Sequence, residues 1–155
     1  MISNKERFLA HYGSPTHVEN ILSNKDDFIK SMAMRNPMLD SSHINKALDD
    51  SSPLIRKLAL RHDNSSDGNI FKALSDKHEE VRKEAAGHPN ASQENIDKAL
   101  NDPSANVRSS VVINRNATSD HIAKALNDTS SQVRRDAKTS LEIRSLAKSR
   151  LERLK

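Results

Sequence analysis

The chain has 155 residues, 34% of them hydrophobic and 3% aromatic, with no cysteine and a formal net charge of +4. That length suits one domain, and the lean apolar content suits a thin continuous core better than one thick globular core. The missing thiols exclude disulfides and thiolate metal sites, and no apolar run approaches a membrane span.

The chain order begins with residues 3–11, which read as an N-terminal capping helix inside a cap over residues 1–13. No signal-peptide apolar region lies between Met1 and Arg7, so a soluble cytoplasmic protein is expected. From Ser14 one pattern recurs every 26 residues. Its copies are Val18–Leu22 (degraded), Ile44–Leu48, Ile70–Leu74, Ile96–Leu100 and Ile122–Leu126. A fixed period of this size marks stacked repeats, each unable to bury its apolar face without its neighbours. Five repeats over residues 14–139 are therefore expected in a single all-α domain.

Each repeat reads as two short antiparallel helices. The first is capped by Ser14, Asp40, Ser66, Ser92 or Thr118, whose side-chain oxygens can accept first-turn N–H groups. Ile96, Ala99 and Leu100 at i, i+3, i+4 form its apolar stripe. A second cap is expected at Asp50, Asp76, Asp102 and Asp128, with Asn24 in the first copy and Pro103 at a first helical position. In the second copy the helices are placed at about 41–49 and 51–62. The second helix buries two columns, Ile29/Ile55/Val81/Val107/Val133 and Ala33/Ala59/Ala85/Val111/Ala137. It ends near Asn36, His62, His88 and Asn114. Asn64, Asn90 and Asn116 follow as candidates for the left-handed closing conformation, and Pro37 and Pro89 reinforce the stop.

Residues 140–155 complete the chain as a basic, amphipathic capping helix carrying Leu141, Ile143, Leu146, Leu151 and Leu154. Residues 133–155 hold eight Lys/Arg against three acids, a net of +5, while the other 132 residues are close to neutral. The basicity is thus a C-terminal property.

The segment Ala85–Ser92, preceded by Asp76, Val81 and Arg82, resembles the leucine-rich repeat variant family. The chain also resembles HEAT repeats, through an Asp followed six residues later by Arg in Asp50/Arg56, Asp76/Arg82, Asp102/Arg108 and Asp128/Arg134. The resemblance covers roughly residues 14–140. It implies a right-handed α-solenoid and a role in macromolecular recognition. The cysteine cluster that holds an iron–sulfur centre in one leucine-rich repeat variant protein has no counterpart, so no cofactor is expected.

Four constellations are candidates for chemistry. The Asp/Arg columns could grip phosphates or acidic side chains, but their constant pairing favours a ladder in which each Arg meets an Asp of its own or the next repeat. The Lys46, Lys72, Lys98 and Lys124 column lies about 200° from the apolar stripe and reads as a solvated outer face. In related solenoids the second helices line the concave surface. There Lys57, Arg61, Lys83 and Arg135, extended by Lys138, would form a mildly basic track diluted by Glu84 and Asp136. His62 and His88, at equivalent places in adjacent repeats, stand too far apart to share a zinc ion and read as helix-end caps. There is no HExxH, P-loop, nucleotide-binding glycine fingerprint or nucleophilic Cys.

The expectation is a non-enzymatic recognition scaffold, an adaptor or inhibitor, that binds a protein partner along one face. Neither a membrane nor a small-molecule substrate is expected. The alternative is nucleic-acid backbone binding through the basic track and C-terminal helix. Scarce aromatics count against that alternative: one Tyr, three Phe and no Trp leave little to stack on bases.

Overall fold

A computed structural model describes residues 3–23 and 26–154. The expected cap at Asn24 and the terminal Lys155 lie outside the described residues, as do the side chains of Tyr12 and Leu151. Among the described residues the chain is all-helical: α1 (Asn4–Tyr12), α2 (Pro15–Leu22), α3 (Asp27–Ala33), α4 (Ser41–Ala47), α5 (Pro53–Leu60), α6 (Asp67–Ala73), α7 (Glu79–Ala86), α8 (Gln93–Ala99), α9 (Ala105–Ile113), α10 (Ser119–Leu126) and α11 (Ser131–Glu152). The first helices of the pairs begin at 15, 41, 67, 93 and 119, and the second helices at 27, 53, 79, 105 and 131. Every interval is one sequence period. The helices of the second pair are shorter than expected because their last residues turn into caps at Leu48 and Arg61.

The chain forms two compact units, Met1–Ala85 and Ala86–Lys155. In the first, α2, α4 and α6 pack in succession as one layer, and α3 and α5 form the other, with α1 laid against α2 and α3. In the second, α9 packs on α8, α10 and α11, and α10 packs on α11.

The core is the set of columns read from the sequence. Val18, Ile44, Ile70, Ile96 and Ile122 are fully buried, and Ile29, Ile55, Val81, Val107 and Val133 are at most 5% exposed. The small Ala47, Ala73, Ala99 and Ala125 are buried beside them, where a larger side chain would push packed helices apart. All five first helices begin at the expected N-caps. Asp40, Ser66, Ser92 and Thr118 accept first-turn N–H groups, whereas Ser14 instead pairs its hydroxyl with His17. Between α1 and α2, Gly13 lies against the Leu9 carbonyl, which leaves no room for a Cβ.

Two expectations about helix ends are corrected. Asp50, Asp76, Asp102 and Asp128 are not N-caps of the second helices. Each accepts the N–H two residues on, from Ser52, His78, Ser104 and Ser130 at 2.7–2.8 Å. This local turn precedes the helix; Ser52 and Ser104 are the caps, and Pro53, not Pro103, occupies the first helical position. Nor do Asn64, Asn90 and Asn116 adopt the left-handed conformation, since no non-glycine residue described has positive φ. The side chains of Asn64 and Asn116 instead donate to backbone carbonyls about one repeat earlier, Asn64 to Leu39 and Asn116 to Pro89 and Ala91.

The expected helix over 140–155 continues from Ser131 without a break, as α11. Its buried stripe is Val133, Ala137 and Ser140. At about 100° per residue, Leu141 and Ile143 fall roughly 80° to either side of that stripe and Leu146 almost behind it. Accordingly they face solvent, Ile143 at 62% and Leu146 at 68% exposed.

Candidate interaction surface

The edge of each unit is built by arginine forks. Arg56 donates from Nε and Nη2 to both carboxylate oxygens of Asp76, at 2.6 and 2.9 Å, and from Nη1 to the carbonyls of Asp50 and Ser51. In the second unit Arg108 repeats this arrangement with Asp128, at 2.7 and 2.8 Å, and with the carbonyls of Asp102 and Pro103. The partner carboxylate thus lies one repeat ahead, while the Asp six residues back offers its carbonyl. Lys30 does the same work in the first repeat, reaching both oxygens of Asp50 at 2.8 and 2.9 Å. Arg82 donates to the Asp76 carbonyl, and Arg134 to those of Asp128 and Thr129. Twenty residues past Arg134, where an Asp stands for Arg56 and Arg108, the chain has Leu154.

Four of the five guanidinium N–H groups of Arg56 and of Arg108 are occupied within the protein, so neither fork is open to an outside phosphate. The fork of Arg108 holds the Asp128 carboxyl below its ordinary value, against the opposing effect of burial. Burial pushes the Asp76 carboxyl up, but the Arg56 fork and the His78 N–H outweigh it and leave it lowered.

A second set of bonds ties the ends of the second helices to the preceding repeat. Asn36 donates to the Gly13 carbonyl at 2.9 Å, His62 to the Asn36 carbonyl at 2.9 Å, and Asn114 to the Ala86 and His88 carbonyls at 2.9 and 3.0 Å. The same side chains accept the N–H two residues on, from Met38, Asn64 and Asn116. Those bonds fix the tautomer of His62: Nδ1 accepts, Nε2–H donates, and no lone pair is left for a metal. Among the described residues no three His, Asp or Glu side chains converge as metal ligands.

The basic track splits between the two units. In the first, Arg61 is held by both carboxylate oxygens of Glu84 at 2.7–2.8 Å, Lys83 lies 3.9 Å from Glu80, and Lys57 is half-buried. In the second, Arg135 and Lys138 are exposed. Lys138 occupies the column of Met34, Leu60, Ala86 and Val112, all buried, rather than the outward columns of the other four. The Lys46, Lys72 and Lys124 side chains reach acids or amides of the first-helix layer: Glu19, Asn45 and Asp49, and Asn101.

What sequence reasoning missed is a groove between successive second helices. In the first unit it lies between α3 and α5, about 490 Å³, lined by Arg35, Pro37, Leu58, Arg61 and His62 among others. In the second it lies between α9 and α11, about 400 Å³, lined by Ile113, Arg115, Asp136, Thr139 and Ser140 with Ile143 and Arg144. The first five residues of each set correspond one to one, three repeat periods apart. The groove thus recurs at equivalent residues at one second-helix junction in each unit, and the residue types that line it differ. The single column Arg35/Arg61/Gly87/Ile113/Thr139 is visible in the sequence; that its members border a local groove between neighbouring second helices is not.

Helix pairs at a fixed interval, packed in two layers and tied to the next pair by side-chain forks, define a helical repeat protein. Residues 93–112, which span α8 and nearly all of α9, match the family described as the HEAT repeat associated with sister chromatid cohesion. That match supports the HEAT side of the resemblance and not the leucine-rich repeat variant. No curated protein matches the sequence. Among the described residues no helix is long and apolar enough to cross a membrane.

Proposed function

We propose that this chain is a non-enzymatic recognition scaffold that binds a protein partner along the face formed by its second helices. The observation that carries this reading is the groove that recurs at equivalent residues in both units. Surfaces that dock a protein segment combine apolar pockets with a polar rim, and the groove has both. The Asp/Arg forks, by contrast, serve as a structural ladder that sets the stacking of repeats. Salt bridges to Glu84 and Glu80 offset two of the cations of the expected track, so a protein surface of mixed chemistry suits this face better than a phosphate backbone.

The test is affinity capture from native lysate, run in parallel with and without nuclease treatment, with two sets of variants. Arg35→Glu, Arg61→Glu and Ile113→Asp alter the grooved face; Lys46→Glu and Lys98→Glu alter the first-helix face. The reading predicts a stoichiometric protein that the first set loses and the second retains. Recovery of nucleic acid without protein, with affinity falling steeply in salt and lost in Lys83→Glu with Arg135→Glu, would replace it with the phosphate-binding alternative.

A further inference from the structure

The groove between α9 and α11 differs from its counterpart in what its walls are made of. Ile113 is 74% exposed and Ile143 62% exposed, on opposite helices of one cleft of about 400 Å³. A single exposed aliphatic residue is ordinary. Two facing each other across a concavity would remove apolar surface on both sides of an inserted side chain from water, at about 25 cal/mol per Å².

The charge of this groove has a sign. Arg144 donates from Nη1 to the Ala117 carbonyl and from Nη2 to the Asn114 carbonyl at 3.0 Å. Those neutral acceptors hold the guanidinium in place without offsetting its charge. Arg115, an exposed residue, lines the groove as well. The one acid in the lining, Asp136, accepts the Ser109 hydroxyl and keeps its charge, so two guanidinium groups face one carboxylate and the groove is net positive by one. Apolar walls with a net positive charge, carried by a fixed Arg144 and an exposed Arg115 against Asp136, complement an apolar side chain flanked by carboxylates.

We infer that the α9–α11 groove binds a short segment of a partner protein, bearing one or two large apolar side chains flanked by Asp or Glu. This rests on the second-helix face being the recognition face, and it names what the partner brings there. Size argues for a segment: a second copy docking through a standard interface needs about 800 Å² on each side, whereas a cleft of this volume takes a few side chains. A nucleic acid is a poorer occupant, because no aromatic residue lines the cleft to stack on a base.

The probe is a random peptide library displayed on phage and panned against the full chain, with selected peptides synthesised for fluorescence anisotropy and titrated into isotopically labelled protein. The expected consensus has Leu, Ile, Met or Phe flanked by Asp/Glu. Ile143→Asp and Arg115→Glu, both at exposed positions and checked for an unchanged thermal melt, should each weaken binding at least tenfold. Amide shifts should cluster at Ile113, Arg115 and Ile143. A basic consensus, or selected peptides that bind Ile143→Asp as tightly, would overturn the inference. So would a concentration-dependent dimer, or DNA binding, that this same variant abolishes. If no peptide is enriched while lysate capture still yields a protein sensitive to the grooved-face variants, this inference falls and the scaffold reading stands. If both fail, the scaffold reading falls too.

Discussion

Arg56 reaches twenty residues forward to close a two-point ion pair on Asp76, while its remaining amino group holds the carbonyls at Asp50 and Ser51. One side chain therefore joins the end of its own first-to-second helix turn to the same turn of the next repeat. Both partners are 9% exposed or less. Removing one member leaves an uncompensated buried charge, so Arg56→Ala should lower the unfolding free energy by about 3–5 kcal/mol in a denaturant titration. Arg61 and Glu84 form the same fork, but Arg61 is 56% exposed, so Arg61→Ala should cost no more than about 1 kcal/mol. Equal losses from the two variants would show that burial does not set the strength of these forks.

The Asp76 and Asp128 carboxyls are held below their ordinary value of 3.8. For a lowered carboxyl, stability is fully present above the unfolded value and is lost as pH falls through the folded one. The contribution of these pairs to the unfolding free energy should thus be full and independent of pH above about pH 5, and should be lost progressively below about pH 4. Asp128→Asn should flatten that acid limb. An acid limb of the same steepness in Asp128→Asn would assign it to other groups.

Asn114 is 3% exposed, donates to two carbonyls of the preceding repeat and accepts one N–H. Asn114→Ala should cost about 2–4 kcal/mol, because several buried polar groups lose their partner together. His62, in the same column, makes the same kind of contacts with its ring. Asn114→His should therefore recover more than half of the loss in the same titration.

Ser66 accepts the Asn69 N–H and caps α6. Ser66→Ala should cost about 1 kcal/mol. A cost near zero in thermal or chemical melts would mean that tertiary packing alone sets where α6 begins.

Much of the architecture was legible because it is written in columns. Ile44, Ile70, Ile96 and Ile122 recur at one interval, all are fully buried, and each helix start follows the same interval. The caps of the first helices were legible for a similar local reason, since a Ser, Thr or Asp before an apolar stripe has one obvious use. The second set of Asp residues misled because an aspartate can accept an N–H either in a helix cap or in the turn before it. Ser52 and Ser104 stand two residues later and take the cap. The identity of each Arg partner was hidden because it depends on the stacking distance between repeats, not on spacing within one. Leu141, Ile143 and Leu146 look like sealing residues when counted as apolar, but their angles around α11 leave them in water. The groove itself was not legible: Ile113 and Ile143 lie thirty positions apart and line one cleft only because α9 and α11 pack together.

The central claim is that recognition takes place on the second-helix face. Its most direct test is site-specific photo-crosslinking in native lysate from positions 61 and 139 on that face and from 46 and 98 on the first-helix face. The account predicts protein adducts of one discrete mass from 61 and 139, and none from 46 and 98. Adducts confined to 46 and 98, or adducts to nucleic acid alone, would contradict it.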